Sequence, residues 1–278
     1  MITITSAQLD TWLAVYLYPL TRILALLATA PIFNSAGLSA RLRLITGLAI
    51  ALALAPALPQ DAGTLIPPGS WAGMAVLGQQ MLIGTIMGLT LRLVFTAVDI
   101  AGELIGLQMG LSFATFFDPH SSAQTSVMSS FLGLITSLLF LAMNGHLLIL
   151  SVLAESFRLL PVSTQPFAAG GFSALLAWSA TLFSAGLMLA LPLIAALFIA
   201  NIALGVLARI APQLNIFAIG FPVTSITGFV MLTLALPHLG DAMLRLYERG
   251  FVALAEVLRA GGALSALSTL AAPASSLP

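Results

Sequence analysis

The sequence predicts an all-α, polytopic integral membrane protein, and three observations carry that reading. Of 278 residues, 60% are hydrophobic and only 6% are charged, against roughly 25% charged in a soluble domain. The mean hydropathy is +1.11. The nine basic and nine acidic residues also leave long charge-free runs, including Pro119 to Ala154 and Leu159 to Ala208. Each exceeds the about 20 apolar residues that a membrane-crossing helix needs.

The elements follow in chain order from the gaps between charges. The stretch 12–33 makes a first span that includes Arg22, and 44–60 makes a second that closes on Pro56 and Pro59. A third lies within 62–91, after the turn Pro67-Pro68-Gly69, and a fourth at 126–152. The run 159–208 holds one span, or two short ones meeting near Pro192. The last span is 210–240, with Pro222 inside it and Pro237 at its end. This gives about six apolar helical segments, with a seventh possible. Proline removes a backbone donor and clashes with the preceding turn, so Pro192 and Pro222 predict broken, hairpin-like helices or, equally, ordinary kinks. The domain reading is one membrane-embedded helical domain over 1–240, an amphipathic helix over 241–260 and an uncharged tail over 261–278.

That C-terminal helix rests on Leu244, Tyr247, Phe251, Leu254 and Leu258, which recur at spacings of 3 and 4, an a/d-like stripe. Asp241–Arg245 and Glu256–Arg259 are spaced to pair along it. The stripe suits partner docking more than a membrane surface, because basic residues do not dominate the polar face. Topology is conflicted. Arg41, Arg43 and Arg209 favour cytoplasmic loops, but six crossings then place the arginine-bearing C-terminal segment on the opposite side.

Composition also narrows function. There is no cysteine, so disulfide frameworks and thiolate metal sites are not expected. Zero net charge argues against nucleic-acid binding. The N-terminus lacks a basic n-region, so a cleaved signal peptide is not expected. His120, His146 and His238 form no metal-ligand pattern, no P-loop is present, and no metal or cofactor is expected. Ser112 with His146 would make a hydrolase pair, but serine is abundant along the chain and the pairing has no specific signature.

Three features invite a role. Arg92, Asp99 and Glu103 share one helix face at spacings of 7 and 4. A charge at bilayer depth costs at least ~2.5 kcal/mol, so this stripe is an ion relay, a subunit contact, or part of a loop helix following a span that ends near Leu91. Gly84 and Gly88, then Gly102, Gly106 and Gly110, form small-xxx-small ladders that let helices approach closely. Ahead of Asp118-Pro119, Met109, Leu111, Phe113, Phe116 and Phe117 cluster bulky apolar groups, read from the residues alone as ordinary core. Together with the broken apolar segments, the stripe motivates an alternative function, a small-molecule permease, although inverted repeats are lacking.

Several motifs resemble one family in order and spacing. Leu207 to Pro222 reads LARIAPQLNIFAIGFP and Gly106 to Pro119 reads GLQMGLSFATFFDP. Asn144-Gly145-His146 is followed by ESFRLLP from Glu155 to Pro161, and Arg41 to Pro59 reads RLRLITGLAIALALAPALP. Over roughly residues 10–255 the chain resembles the FliR family of the flagellar type III export apparatus and, more distantly, its virulence-secretion homologues. PQLNIFAIGFP is the specific part, and NIFAIGFP favours the flagellar branch.

The resemblance implies a non-enzymatic subunit of the bacterial inner-membrane export gate, in the flagellar basal body. It implies FliP-like and FliQ-like partners, a FlhB-like switch subunit, membrane lipid, and unfolded flagellar proteins as substrates. The family fold resembles a FliP-like portion joined to a FliQ-like portion, with helices bent into hairpins. In the family, the segment matching Gly106 to Ser122 enters the pore as a plug. That assigns Gly106, Met109, Gly110, Leu111, Phe113, Phe116, Phe117, Asp118 and Pro119 to the plug, with Gly106 and Gly110 allowing bending and Asp118-Pro119 ending the helix. Pro212, Gln213, Asn215, Phe217, Gly220 and Pro222 match a structural turn or subunit contact, in which Pro212 and Pro222 bracket a short helix.

Overall fold

A computed structural model describes residues 6–33, 39–58, 66–111, 126–211, 213 and 216–270. Among these residues every regular element is helical. The α-helices are α1 (Ser6–Thr29), α2 (Ala40–Leu54), α3 (Trp71–Gln108), α4 (Val127–Ala142), α5 (Gly145–Leu159), α6 (Ala169–Ile210) and α7 (Ile216–Leu270), with a 3-10 turn at Ala55–Ala57 after α2. Among the described residues, four helices can cross a membrane by length and composition (α1, α3, α6 and α7), or five if the bent pair α4 and α5 is one broken span. The six expected spans are thus reduced. The second, expected at 44–60, falls out because α2 has only 15 residues, short of the about 20 required. The chain is an all-helical, multi-pass membrane protein.

Of the two outcomes expected at Pro192 and Pro222, breaks are not observed. Pro192 lies inside the 42-residue α6, and Pro222 and Pro237 lie inside the 55-residue α7. Each proline forfeits one backbone bond at about 3 kcal/mol. Ending the helix instead would free several backbone groups at once, which an apolar environment penalises further. For the same reason the amphipathic segment 241–260 is the continuation of α7, not a separate helix. The observed break falls between α4 and α5 at Asn144, in the left-handed region at φ 56°, a conformation asparagine tolerates better than most residues. The pairs Asp241–Arg245 and Glu256–Arg259 are not formed; among the described residues Glu155 and Arg158 make an ion pair at 3.5 Å.

The chain divides into two compact units, each discontinuous in sequence. The first comprises Met1–Arg92, Asn144–Ser179 and Gly250–Pro278, and the second Leu93–Met143 and Ala180–Arg249.

The first unit is organised around Arg22, which is completely buried. Its Nε donates to Gln80 Oε1 (2.8 Å), Nη1 to the Ser156 carbonyl and hydroxyl (2.9 and 3.1 Å), and Nη2 to the Leu160 carbonyl (2.7 Å). The guanidinium carbon sits 4.0 Å from the Phe157 ring centroid. One side chain of α1 therefore ties α3 to the C-terminal turn of α5. Free carbonyls and the negative dipole end of a helix favour a cation there, as does the ring face. The same unit packs α3 on α1 through glycine. A Cβ at Gly84 would collide with the Arg22 carbonyl oxygen, and one at Gly88 with the Thr29 hydroxyl. The Trp178 indole of α6 donates to the Thr90 carbonyl of α3 at 3.0 Å. Farther along, Phe167 fills a slot left by Gly171 and Gly261, where the Ala168 amide donates to the Gly261 carbonyl at 3.0 Å.

The second unit has an aromatic centre. Phe95 of α3, Phe140 of α4 and Tyr247 of α7 meet with ring centroids 5.3 to 6.0 Å apart, the tilted geometry aromatic quadrupoles prefer. The Tyr247 hydroxyl donates to the Thr136 carbonyl at 2.9 Å, satisfying its one polar atom inside an apolar core. Gly186 of α6 faces the Ala97 carbonyl of α3, where a Cβ would stand at 2.8 Å.

Candidate functional site

Of the residues singled out in the sequence, Arg92, Asp99, Gly102, Glu103 and Gly106 lie on the C-terminal half of α3. Gly102 packs on the start of α4: a Cβ there would strike the Ser129 backbone, with Ser129 N 2.7 Å away. At Gly106 it would come within 3.1 Å of Ser126 Oγ. The first helical turn of α4 is therefore seated against bare α3 backbone.

This seat also locates the acidic part of the charge stripe. Asp99 Oδ1 accepts from the Ser129 hydroxyl and Glu103 Oε1 from the Ser126 amide, each at 3.5 Å. Ser126 itself caps α4, its hydroxyl accepting from the Ser129 amide at 3.1 Å. Two carboxylates thus sit at the positive end of a helix dipole. Arg92, like Asp99 and Glu103, has an exposed side chain. α3 continues past Leu91 to Gln108, so the stripe lies on the same helix as the apolar stretch before it.

The end of α3 is built by Gly110, and the stop expected at Asp118-Pro119 lies outside the described residues. Gly110 adopts φ 78°. Its amide donates to the Leu107 carbonyl at 3.1 Å, and the Leu111 amide reaches back to the Gly106 carbonyl at 3.0 Å. These are the two crossed bonds of a Schellman cap, which needs a left-handed residue, usually glycine, just past the helix. Gly110 is a stop, not a flexible point within a helix. Phe113, Phe116, Phe117, Asp118 and Pro119 lie outside the described residues, as does Ser112.

The carbonyl of Met109 points at the first turns of α7. Thr224 Oγ1 lies 3.2 Å and Ser225 Oγ 3.4 Å from it. The Thr224 hydroxyl also stands 3.0 Å from the Gly220 carbonyl and 3.1 Å from that of Phe221, so one proton serves three acceptors. Gly220 therefore presents its carbonyl inside this cluster. The Met109 side chain is fully buried against Gly228, where a Cβ would stand 2.6 Å from Met109 Cγ. A backbone carbonyl, two hydroxyls and a glycine thus fix the last turn of α3.

The turn expected between Pro212 and Pro222 is only partly described. Gln213 is exposed; Pro212, Asn215 and the side chain of Phe217 lie outside the described residues. Pro222 does not close a short helix, because α7 begins at Ile216 and runs through it. Sequence reasoning missed Arg22, Thr224, Ser225 and Gly228. For Arg22 the signal was present, a lone charge inside an apolar span. For the other three there was none, since hydroxyl and small residues are common in such helices.

These features define a multi-pass helical membrane protein in which helix α3 ends in a fixed cap. Its sequence matches the model of the bacterial export proteins, family 1, over residues 13–250. The chain is similar to the flagellar biosynthetic protein FliR of Pectobacterium carotovorum subsp. carotovorum, at 44% identity over 258 residues, covering 93% of this chain and 98% of that protein. It is also similar to FliR of Escherichia coli K12, at 42% identity with the same coverage, and to FliR of Aquifex aeolicus, at 34% identity over 78% of this chain and 83% of that one. The chain belongs to the FliR family of flagellar export apparatus components.

Proposed function

We propose that the chain is a non-enzymatic, channel-forming subunit of the flagellar protein export gate in the bacterial inner membrane. It assembles with FliP-like and FliQ-like subunits, receives a FlhB-like switch subunit, and conducts unfolded flagellar polypeptides. The reading is supported by family membership over nearly the whole chain. Its apolar surface also suits assembly: only 22% and 17% of the most apolar stretches of α6 and α7 are buried within the chain, leaving wide faces for other subunits and lipid.

One structural observation carries the pore assignment. The Schellman cap at Gly110 and the hydroxyl clamp on Met109 end α3 at a fixed point. Immediately beyond it comes the stretch containing Phe113, Phe116 and Phe117. A plug rooted on a rigid stem returns to its place after each passage. A ring of apolar side chains blocks water and ions by dewetting, yet parts for a chain without fixed structure. Catalysis is not required of it: the residues supply a barrier and a stem, and the energy for export comes from other components.

The test is to delete Gly110 to Phe117 and purify the complex through a tag on this chain in mild detergent. FliP-like and FliQ-like subunits should co-purify with the deleted chain, and the reconstituted complex should pass ions that the intact one holds back. Equal conductance from an assembled, deleted complex would overturn the plug. Purification of the intact chain without such subunits would overturn the gate.

A further inference from the structure

Charge returns to the chain abruptly. Ile210 to Gly240 carries no charge, and then Asp241, Arg245, Glu248 and Arg249 follow within nine residues. Arg245 and Arg249 are one helical turn apart, so they share a face of α7. That face meets α6 at a groove of about 150 Å³, whose remaining wall includes Ala185, Met188, Leu189 and Ala242.

Both arginine side chains are exposed, and among the described residues neither makes a hydrogen bond or an ion pair. Asp241 and Glu248 are exposed as well; neither lines the groove nor comes within ion-pair distance of the two arginines. The groove is therefore cationic on one wall and apolar on the other. The apolar wall continues onto the exposed Leu187, Met188 and Leu191 of α6.

An occupant must be anionic at one end and apolar at the other. An acidic peptide supplies only the first property. A phospholipid supplies both, and the site lies just past a charge-free helical stretch long enough for a hydrocarbon core, where headgroups are found. Guanidinium groups bind phosphate oxygens through paired N–H donors, and basic pockets between membrane helices take anionic headgroups. We propose that Arg245 and Arg249 hold the phosphodiester of an anionic phospholipid, with its acyl chains running over Met188 and Leu191.

The experiment is native mass spectrometry of the full-length chain, purified in mild detergent and titrated with phosphatidylglycerol or phosphatidylcholine. Phosphatidylglycerol should be retained about thirtyfold better, as expected for two arginines facing an anionic lipid. The R245Q/R249Q variant should lose that preference. If this variant loses its helical circular dichroism, R245K/R249K and Ala185→Phe replace it: the first should keep a preference and the second, which fills the groove, should abolish it. Equal retention of the two lipids, or a preference unchanged by R245Q/R249Q or by Ala185→Phe, would overturn the site. Displacement of phosphatidylglycerol by equimolar sn-glycerol 3-phosphate would show an anion site with no role for the acyl chains, and would overturn the lipid assignment.

Discussion

Arg22 Nη2 donates to the Leu160 carbonyl at 2.7 Å, so a guanidinium from the first helix caps a helix more than a hundred residues later. Leu160 follows the last residue of α5, where carbonyls have lost their intrahelical donors. Removing the cation orphans the Leu160 carbonyl and the Gln80 amide oxygen together, while the Ser156 carbonyl keeps the Leu160 amide. Arg22→Ala should therefore cost about 3 kcal/mol or more, since bonds to charged groups are each worth ~1.5–3 kcal/mol. Thermal unfolding of the detergent-purified protein reads this out, and a melting temperature equal to that of the parent protein would refute the bracing role. Arg22→Lys should recover only part of the loss, because an ammonium cannot span acceptors on two helices as the planar fork does.

Gln80 allows a change in the opposite direction. It is fully buried, its Oε1 accepts from Arg22, and its Nε2 has no partner among the described residues. A buried orphan donor costs about 1–3 kcal/mol. Gln80→Glu removes that donor and gives an already buried arginine a carboxylate, making the bond charge-assisted. The melting temperature should rise. A fall would mean that desolvating the new carboxylate outweighs both gains.

Two glycines in long helices should respond with opposite signs. Gly102 is pressed against the Ser129 backbone, whereas nothing lies within 4 Å of a Cβ at Gly240. Gly102→Val forces α3 and α4 apart and should sharply reduce the yield of assembled complex. Gly240→Ala should stabilise by up to about 1 kcal/mol, the ordinary helix preference of alanine over glycine. Equal behaviour of the two variants in a heat-challenge assay followed by size-exclusion chromatography would contradict the packing described.

Gly110 should tolerate asparagine better than alanine. At φ 78°, a residue with a Cβ pays roughly 1–2 kcal/mol, a penalty that asparagine offsets in part by local hydrogen bonding. Gly110→Ala should lower the melting temperature and raise ion leak through the reconstituted complex, with Gly110→Asn between it and the parent. A leak unchanged by Gly110→Ala would separate the cap from the barrier.

Much of the fold was legible in sequence because the hydrophobic signal is strong: helical class, membrane character, and close approach at Gly84, Gly88 and Gly102 all follow from composition and spacing. The helix ends were less so. Proline looked decisive at Pro192 and Pro222, but each removes one bond from a helix whose remaining bonds have no better partner. Two of the observed breaks, after α3 and between α4 and α5, use left-handed residues, Gly110 and Asn144, whose role depends on a backbone geometry that sequence does not display. The charges misled in a similar way. The stripe of Arg92, Asp99 and Glu103 drew notice as a pattern, yet all three are exposed, whereas the solitary Arg22 is completely buried. An isolated charge reads as a boundary until its partners, 58 to 138 residues away, are brought to it by the fold.

The central claim is that this chain is needed to move flagellar proteins out of the cell, and secretion tests it most directly. Hook and filament subunits should be measured in the culture medium of a strain lacking the gene, and again after its restoration on a plasmid. The account predicts that both subunits stay in the cells of the deletion strain and return to the medium on restoration. Normal secretion and normal filaments in the deletion strain would contradict it.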